Sequence, residues 1–209
     1  MRRFVMSAVF FSCSIAAAFA ADDHVTSVLT DVQNGMSGIK TLATTFVQKK
    51  HLSMFSNDLT ITGKVYISKP SLLAWHVDSP VVSRMYIDGD IIKQWDADSG
   101  KVATVDMSKN VGFKIAIDQM QRWFSGAYAS FVGEYEIVIV SENPLVLSFT
   151  PKADNPSGAF ISSVTVTFRA DRKYLEKLAI AEKSGDTTVM SFSDTRINED
   201  VSANIKRLE

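Results

Sequence analysis

The spacing of apolar residues changes along this chain and predicts two helices. Between residues 22 and 40, and again over 114–130, apolar residues recur every three or four positions, which is the period of an amphipathic helix. In the first segment these residues are Val25, Val28, Leu29, Val32, Met36 and Ile39. In the second they are Ile115, Met120, Trp123, Phe124, Ala127, Tyr128 and Phe131.

Elsewhere apolar and polar residues alternate, and this period of two predicts short strands. The predicted strands cover 59–67, 72–77, 85–87, 91–95, 102–107, 135–140, 145–150, 160–169, 175–181 and 187–193. Turn residues separate them, among them Asp88-Gly89, which favours a hairpin turn. Ten or so strands at this spacing predict one mainly β (α+β) domain, a single antiparallel sheet that is strongly curved or closes toward a barrel.

Such a sheet has a concave face, and the two predicted helices can cover its mouth. The inward positions of the strands are large apolar residues. They form either a packed core or an apolar ligand cavity, and the pattern alone does not separate the two.

The first twenty residues have the features of a secretory signal peptide. Arg2 and Arg3 precede an uncharged, mainly apolar stretch, and Ala18-Phe19-Ala20 is an A-x-A cleavage site. We therefore predict a signal peptide over 1–20, cleavage after Ala20, and a mature domain over 21–209 exported to the periplasm. The apolar signal peptide also accounts for part of the positive mean hydropathy of the chain, +0.06.

Composition argues against several classes of function. With 22 Lys and Arg against 23 Asp and Glu, the chain has no bulk positive charge to hold nucleic acid. Its one cysteine excludes a disulfide framework, and its three histidines leave little for a metal centre, so no cofactor or metal is expected.

Catalytic motifs are also missing from the sequence. No nucleophile elbow, zinc-protease motif or phosphate-binding loop is present. Asp96-Ala97-Asp98-Ser99-Gly100 begins like a calcium loop, but Met107 stands where the bidentate Glu belongs. The absence of these motifs from an exported chain of 209 residues favours a binding function over catalysis.

Several ordered elements resemble the periplasmic outer-membrane lipoprotein carrier family of LolA type. Thr45-Phe46-Val47-Gln48 follows the first helix, and Gly63–Pro70, Leu72–Trp75, Ser79-Pro80 and Ile87-Asp88-Gly89 then keep that family's order and spacing. The resemblance implies an unclosed β-barrel with a helical lid over an apolar cavity. It also implies a monomeric carrier that takes acylated lipoproteins from an inner-membrane ABC transporter to an outer-membrane acceptor lipoprotein.

The resemblance also suggests site residues. Lys69 stands where the family has a basic residue that hydrogen-bonds to the lid and helps to close it. Residues that are candidates for lining the cavity are Leu73, Trp75, Met85, Ile87, Trp95, Ile115, Met120, Trp123 and Phe124.

The C-terminus departs from the family pattern. Residues 194–201 lead into a polar tail, and the usual Pro-containing closing strand and loop is not evident. Two alternatives to a lipoprotein carrier therefore stay open. One is a carrier of the same fold for another lipid or a glycolipid, and the other is an envelope sensor or scaffold that carries nothing.

Overall fold

A computed structural model describes residues 14–89, 91–105 and 111–208. The strands in this part are β1 (Thr41–His51), β2 (Leu59–Ser68), β3 (Leu72–Ser79), β4 (Ser83–Asp88), β5 (Ile91–Asp96), β6 (Val102–Val105), β7 (Tyr135–Glu142), β8 (Leu145–Pro151), β9 (Ile161–Phe168), β10 (Leu175–Glu182) and β11 (Thr187–Ile197). The helices are α1 (Ser14–Ser37), α2 (Val111–Ser125) and α3 (Ser202–Ile205), with short 3-10 helices at Tyr128–Phe131 and Pro156–Ala159.

The strands form one antiparallel sheet in the order β6-β5-β4-β3-β2-β1-β11-β10-β9-β8-β7. The first and last strands pair at its centre, which brings the two ends of the fold together. Within the described ranges β6 and β7 are unpaired edges, so the sheet does not close into a barrel. The prediction of a mainly β domain with one curved, unclosed antiparallel sheet is confirmed.

Side chains along each strand alternate between the two faces of the sheet, so every second residue lies on the inner face. Phe46 in β1 lies opposite Phe192 in β11 and Gly63 in β2, and all three face inward. A Cβ at Gly63 would lie 1.9 Å from the His76 carbonyl oxygen and 2.9 Å from Phe46 Cε1. Glycine is therefore required where β1, β2 and β3 approach so closely.

The apolar face of α1 packs on this inner side. Val28, Leu29, Val32 and Met36 are buried, which agrees with the predicted helix face. The described part of this helix reaches back to Ser14, ahead of the predicted start at residue 22, because the alanine-rich segment there favours helix. It ends at Ser37 rather than 40, and Gly38 follows.

The second predicted helix is divided in two. α2 ends at Ser125, because Gly126 has φ +86° and stops the helix in the left-handed region. A 3-10 helix at Tyr128–Phe131 then continues the apolar spacing. Tyr128 Oη donates a 2.7 Å hydrogen bond to the Trp123 carbonyl, which satisfies a carbonyl near the end of α2.

The C-terminal residues are not a purely polar tail, and that description was wrong. β11 continues to Ile197, and α3 then places Val201 and Ile205 on the outer face of the sheet. Both are buried there with Ala43, Tyr66 and Ala74. Two apolar residues four positions apart lie on one side of a helical turn, and a pair this small did not stand out from the polar residues around it.

The predicted signal peptide lies largely outside the described residues, which begin at residue 14. The backbone of residues 14–20 continues into α1. Among the described helices, none has the length and apolarity needed to span a membrane.

Candidate functional site

A cavity of about 490 Å³ lies between α2 and the inner face of β9, β10 and β11. We call it the apolar cavity, and it is lined by Gln119, Met120, Trp123, Ser157, Phe160, Ile161, Val164, Leu178, Ile180, Glu182 and Met190. Its strand wall is continuous because Leu178 lies opposite Met190, and Ile180 lies opposite Val164. The one charged lining residue, Glu182, stands at the end of β10.

The helix wall of the apolar cavity is anchored by an aromatic cluster. Met120 and Trp123 lie three residues apart and therefore share a face of α2. The Trp123 ring stacks on Phe131 with centroids 4.2 Å apart and meets Phe149 edge-on at 4.8 Å. Trp123 is only 3% exposed, so it belongs to the core and to the cavity wall at once.

A second, more polar space of about 580 Å³ adjoins the first. We call it the polar groove, and it is lined by Ile67, Lys69, Pro70, Ser71, Leu72, Leu73, Asp118, Gln119, Gln121, Arg122, Phe124, Ser125, Glu134, Asn155, Pro156 and Ser157. Gln119 and Ser157 line both spaces. The apolar cavity and the polar groove therefore meet at these two residues.

Lys69 joins the ends of the two helices that cover the sheet. Its Nζ donates hydrogen bonds to the Ser125 carbonyl at 2.7 Å and to the Met36 carbonyl at 3.2 Å. Both carbonyls lie at helix C-termini, where the helix dipole favours a cation. Burial lowers the pKa of Lys69 from its usual value.

Five of the residues predicted to line a cavity lie on the inner side, close to one another. Met120 and Trp123 line the apolar cavity, and Leu73 and Phe124 line the polar groove. The Trp75 ring packs between Phe46, at 4.5 Å, and Phe124, at 6.5 Å. Trp75 therefore fills space beneath α2 instead of lining the apolar cavity.

The remaining four candidates have different positions. Ile87 is fully buried in the core beside Leu73. Trp95 lies opposite Arg84 and Val102, a register that puts it on the outer face, away from Ile87 and Ile92. Ile115 belongs to α2, but its side chain lies outside the described part of the structure. Met85, opposite Trp75, packs against the core with it.

The strand wall of the apolar cavity was not among the predicted site residues. Ile161, Val164, Leu178, Ile180 and Met190 all lie on strands that the alternating pattern predicted. That pattern identifies which residues face inward, but it does not show which part of the sheet stays unfilled beneath α2.

The histidines are distributed singly. His24 Nε2 lies 3.0 Å from Glu142 Oε1, and His51 Nδ1 lies 2.9 Å from Asp58 Oδ1. His76 is buried on the outer face, where burial and the nearby Arg84 lower its pKa to about 4. In the part of the chain that the structure describes, no three His, Cys, Asp or Glu side chains form a group able to hold a metal ion.

The described part of the chain combines an unclosed antiparallel sheet with a helix across an apolar cavity. The model of the family described as outer membrane lipoprotein carrier protein LolA matches residues 37–205. The chain therefore belongs to the LolA family. No curated protein sequence matches it significantly.

Solved structures share the fold at low sequence identity. MucB is 13% identical with a TM-score of 0.53, over 88% of this chain and 63% of the MucB chain. A DUF1329 family protein from Desulfovibrio piger is 12% identical with a TM-score of 0.49, over 88% and 98% of the two chains. Lipoprotein LppX from Mycobacterium tuberculosis is 11% identical with a TM-score of 0.47, over 86% and 98%. The likeness to MucB concerns the fold alone.

Proposed function

We propose that this protein is a periplasmic carrier that shields the acyl chains of lipoproteins in the apolar cavity and takes them from the inner to the outer membrane. In this proposal the N-terminal signal peptide is cleaved after Ala20, and the mature protein acts as a monomer. An inner-membrane ABC transporter loads it, and an outer-membrane lipoprotein receives the cargo. It holds its ligand without covalent chemistry.

The apolar cavity is the observation that carries this proposal. Its strand wall, from Ile161 to Met190, and its helix wall, Met120 and Trp123, offer apolar surface with few fixed polar partners. Burying each methylene stabilises the complex by about 0.8 kcal/mol, before the cost of ordering the chain. Such a surface binds acyl chains of varied length, and Met120 and Met190 adapt to them through flexible side chains.

The size of the cavity sets how much lipid it takes in this conformation. At about 30 Å³ per water-sized group, a cavity of about 490 Å³ holds about sixteen such groups. A methylene is nearly the size of a water molecule, so one long acyl chain fits. A lipoprotein with three chains requires α2 to move outward, which breaks the Lys69–Ser125 hydrogen bond.

Mass spectrometry of what co-purifies with the protein tests the proposal. The full chain is produced in a Gram-negative host and recovered from the periplasm, and its intact mass reports cleavage. We expect acylated lipoproteins in the preparation. Free lipid or glycolipid alone would contradict a lipoprotein cargo and favour the other-lipid carrier. No bound lipid, and no binding of dansyl-labelled undecanoic acid, would contradict any carrier and favour a sensor or scaffold.

A matched pair of variants assigns the binding to the apolar cavity. Ile180→Glu introduces a carboxylate into the cavity wall. Thr165→Glu places the same group on the outer face of the neighbouring strand, where Thr165 lies opposite Ala179. Only the first should lose the dansyl signal, and equal loss in both would show that binding occurs elsewhere.

A further inference from the structure

The polar groove adjoins the apolar cavity, and this arrangement matters for what the protein binds. Gln119 on α2 and Ser157 in the 3-10 helix Pro156–Ala159 line both spaces. A molecule with an acyl chain in the apolar cavity would therefore place its polar end in the groove, against these two residues.

The charges that line the groove compensate one another. Its cations are Lys69 and Arg122, and its anions are Asp118 and Glu134. Arg122 makes a two-pronged pair with Glu134, at 2.7 and 3.0 Å, and its guanidinium lies 4.3 Å from the centre of the Phe131 ring. Lys69 Nζ is held by two carbonyls. These pairings favour an uncharged headgroup over a phosphate.

The polar side chains on the far wall of the groove are already bonded to one another. Ser157 Oγ lies 2.8 Å from Asn155 Oδ1 and 3.0 Å from Tyr135 Oη. Asn155 Nδ2 donates to the Glu134 carbonyl at 3.1 Å. Asn155 Oδ1 therefore already accepts hydrogen bonds from Ser157 N and Ser157 Oγ.

Gln119 differs from its neighbours. Its Oε1 is enclosed, and none of the described residues donates a hydrogen bond to it. A buried carbonyl without a donor costs free energy on the order of 1–3 kcal/mol. When the Gln119 amide turns toward the groove, a ligand that supplies a hydroxyl or an amide N–H at this point removes that cost.

We propose, on the basis of the carrier function above, that the polar groove is a headgroup site for an uncharged amphiphile that donates a hydrogen bond to Gln119. Two sources share this chemistry. The amide N–H of an N-acylated protein terminus is one, and the hydroxyl of a glycerol or sugar headgroup is the other.

Displacement of dansyl-labelled undecanoic acid by four amphiphiles with the same chain length tests the assignment. Palmitoylglycinamide donates through an amide, monopalmitoylglycerol donates through hydroxyls, methyl palmitate is neutral without a donor, and hexadecyl phosphate is anionic. We expect the two donors to bind about twofold to tenfold more tightly than methyl palmitate, as one hydrogen bond provides. Hexadecyl phosphate should gain nothing over methyl palmitate.

A second comparison ties the preference to Gln119. Gln119→Leu should remove the advantage of the two donors, so that their affinities relative to methyl palmitate, measured in the same variant, fall to a ratio of about one. Gln33→Leu, at an exposed position on α1, should keep the advantage of the two donors over methyl palmitate. A stronger response to the amide identifies an acylated protein as cargo, and a stronger response to the hydroxyls identifies a glycerolipid or glycolipid.

The displacement results distinguish failure of the carrier function from failure of the headgroup assignment. If none of the four molecules displaces the probe, the carrier function fails. If all four bind with equal affinity, or if hexadecyl phosphate binds most tightly, the carrier function stands and the headgroup assignment is wrong. An unchanged donor preference in Gln119→Leu also overturns the assignment.

Discussion

Lys69 Nζ donates a 2.7 Å hydrogen bond to the carbonyl of Ser125, the last residue of α2. A second bond from the same nitrogen reaches Met36 near the end of α1. One side chain on the β2–β3 connection thus fixes the ends of both helices that cover the sheet. We infer that it holds α2 over the apolar cavity, although lysine offers a point donor instead of the planar fork of arginine.

Replacing Lys69 with methionine should loosen α2. The variant removes the donor of the Ser125 carbonyl, whereas the Met36 carbonyl keeps the Ile39 N–H at 3.2 Å, so the free energy of unfolding should fall by about 1 kcal/mol. Stopped-flow release of dansyl-labelled undecanoic acid should be faster than in the unchanged protein. Lys69→Arg should restore slow release, and Lys64→Met, at an exposed position, should leave it unchanged. Equal release rates in all three variants would refute this role.

Gly63→Ala should destabilise the sheet strongly. The added Cβ overlaps the His76 carbonyl, a backbone atom that cannot rotate away. Overpacking of this kind costs at least about 1–3 kcal/mol in urea-induced unfolding. Gly133→Ala is the matched control, because a Cβ there meets no atom within 4 Å, and its stability should change little. Similar midpoints for the two variants would contradict the close approach of β2 and β3.

Ile205→Ala should lower the stability of the protein without changing its affinity for the dansyl probe. Ile205 is 2% exposed and packs on the outer face of the sheet, opposite to the apolar cavity. Removing its side chain should lower the free energy of unfolding by about 2 kcal/mol or more. Affinity for the dansyl probe should stay unchanged, and Asn204→Ala, at an exposed position, should affect neither quantity. A loss of affinity in the folded variant would show that the tail acts on the cavity.

His76 should make the protein less stable in mild acid. Its pKa is lowered to about 4 in the folded protein, first by burial and then by Arg84, with Arg207 and Lys64 adding to this and Asp78 opposing it. Above pH 6.5 both states are neutral at this residue. As the pH falls from 6.5 to 4, the unfolded state takes up the proton and the folded state does not.

The free energy of unfolding falls by roughly 1.4 kcal/mol per pH unit in this window, and the loss approaches about 3 kcal/mol at pH 4. Urea unfolding at several pH values measures it. His76→Leu should flatten the profile over this window. A profile that is the same with and without His76 would rule out its contribution.

The sequence determined the type of most elements and the inward face of most of them. The three- and four-residue spacing from Val25 to Met36 predicted the buried face of α1, and the period of two predicted the strands. The order of motifs from Phe46 to Gly89 pointed to the LolA family, and the match over residues 37–205 confirmed it. These features are local, because periodicity and turn chemistry depend on neighbouring residues.

Tertiary structure decided where the apolar cavity lies. Trp75 and Met120 both carry side chains suited to a cavity wall, but Trp75 packs between Phe46 and Phe124, whereas Met120 faces β9, β10 and β11. The difference depends on how α2 crosses the sheet, and Gly126 and Lys69 fix the end of that helix through contacts with distant residues. Register likewise placed Trp95 on the outer face. Packing between elements far apart in sequence therefore selected which inward residues enclose a cavity and which fill the core.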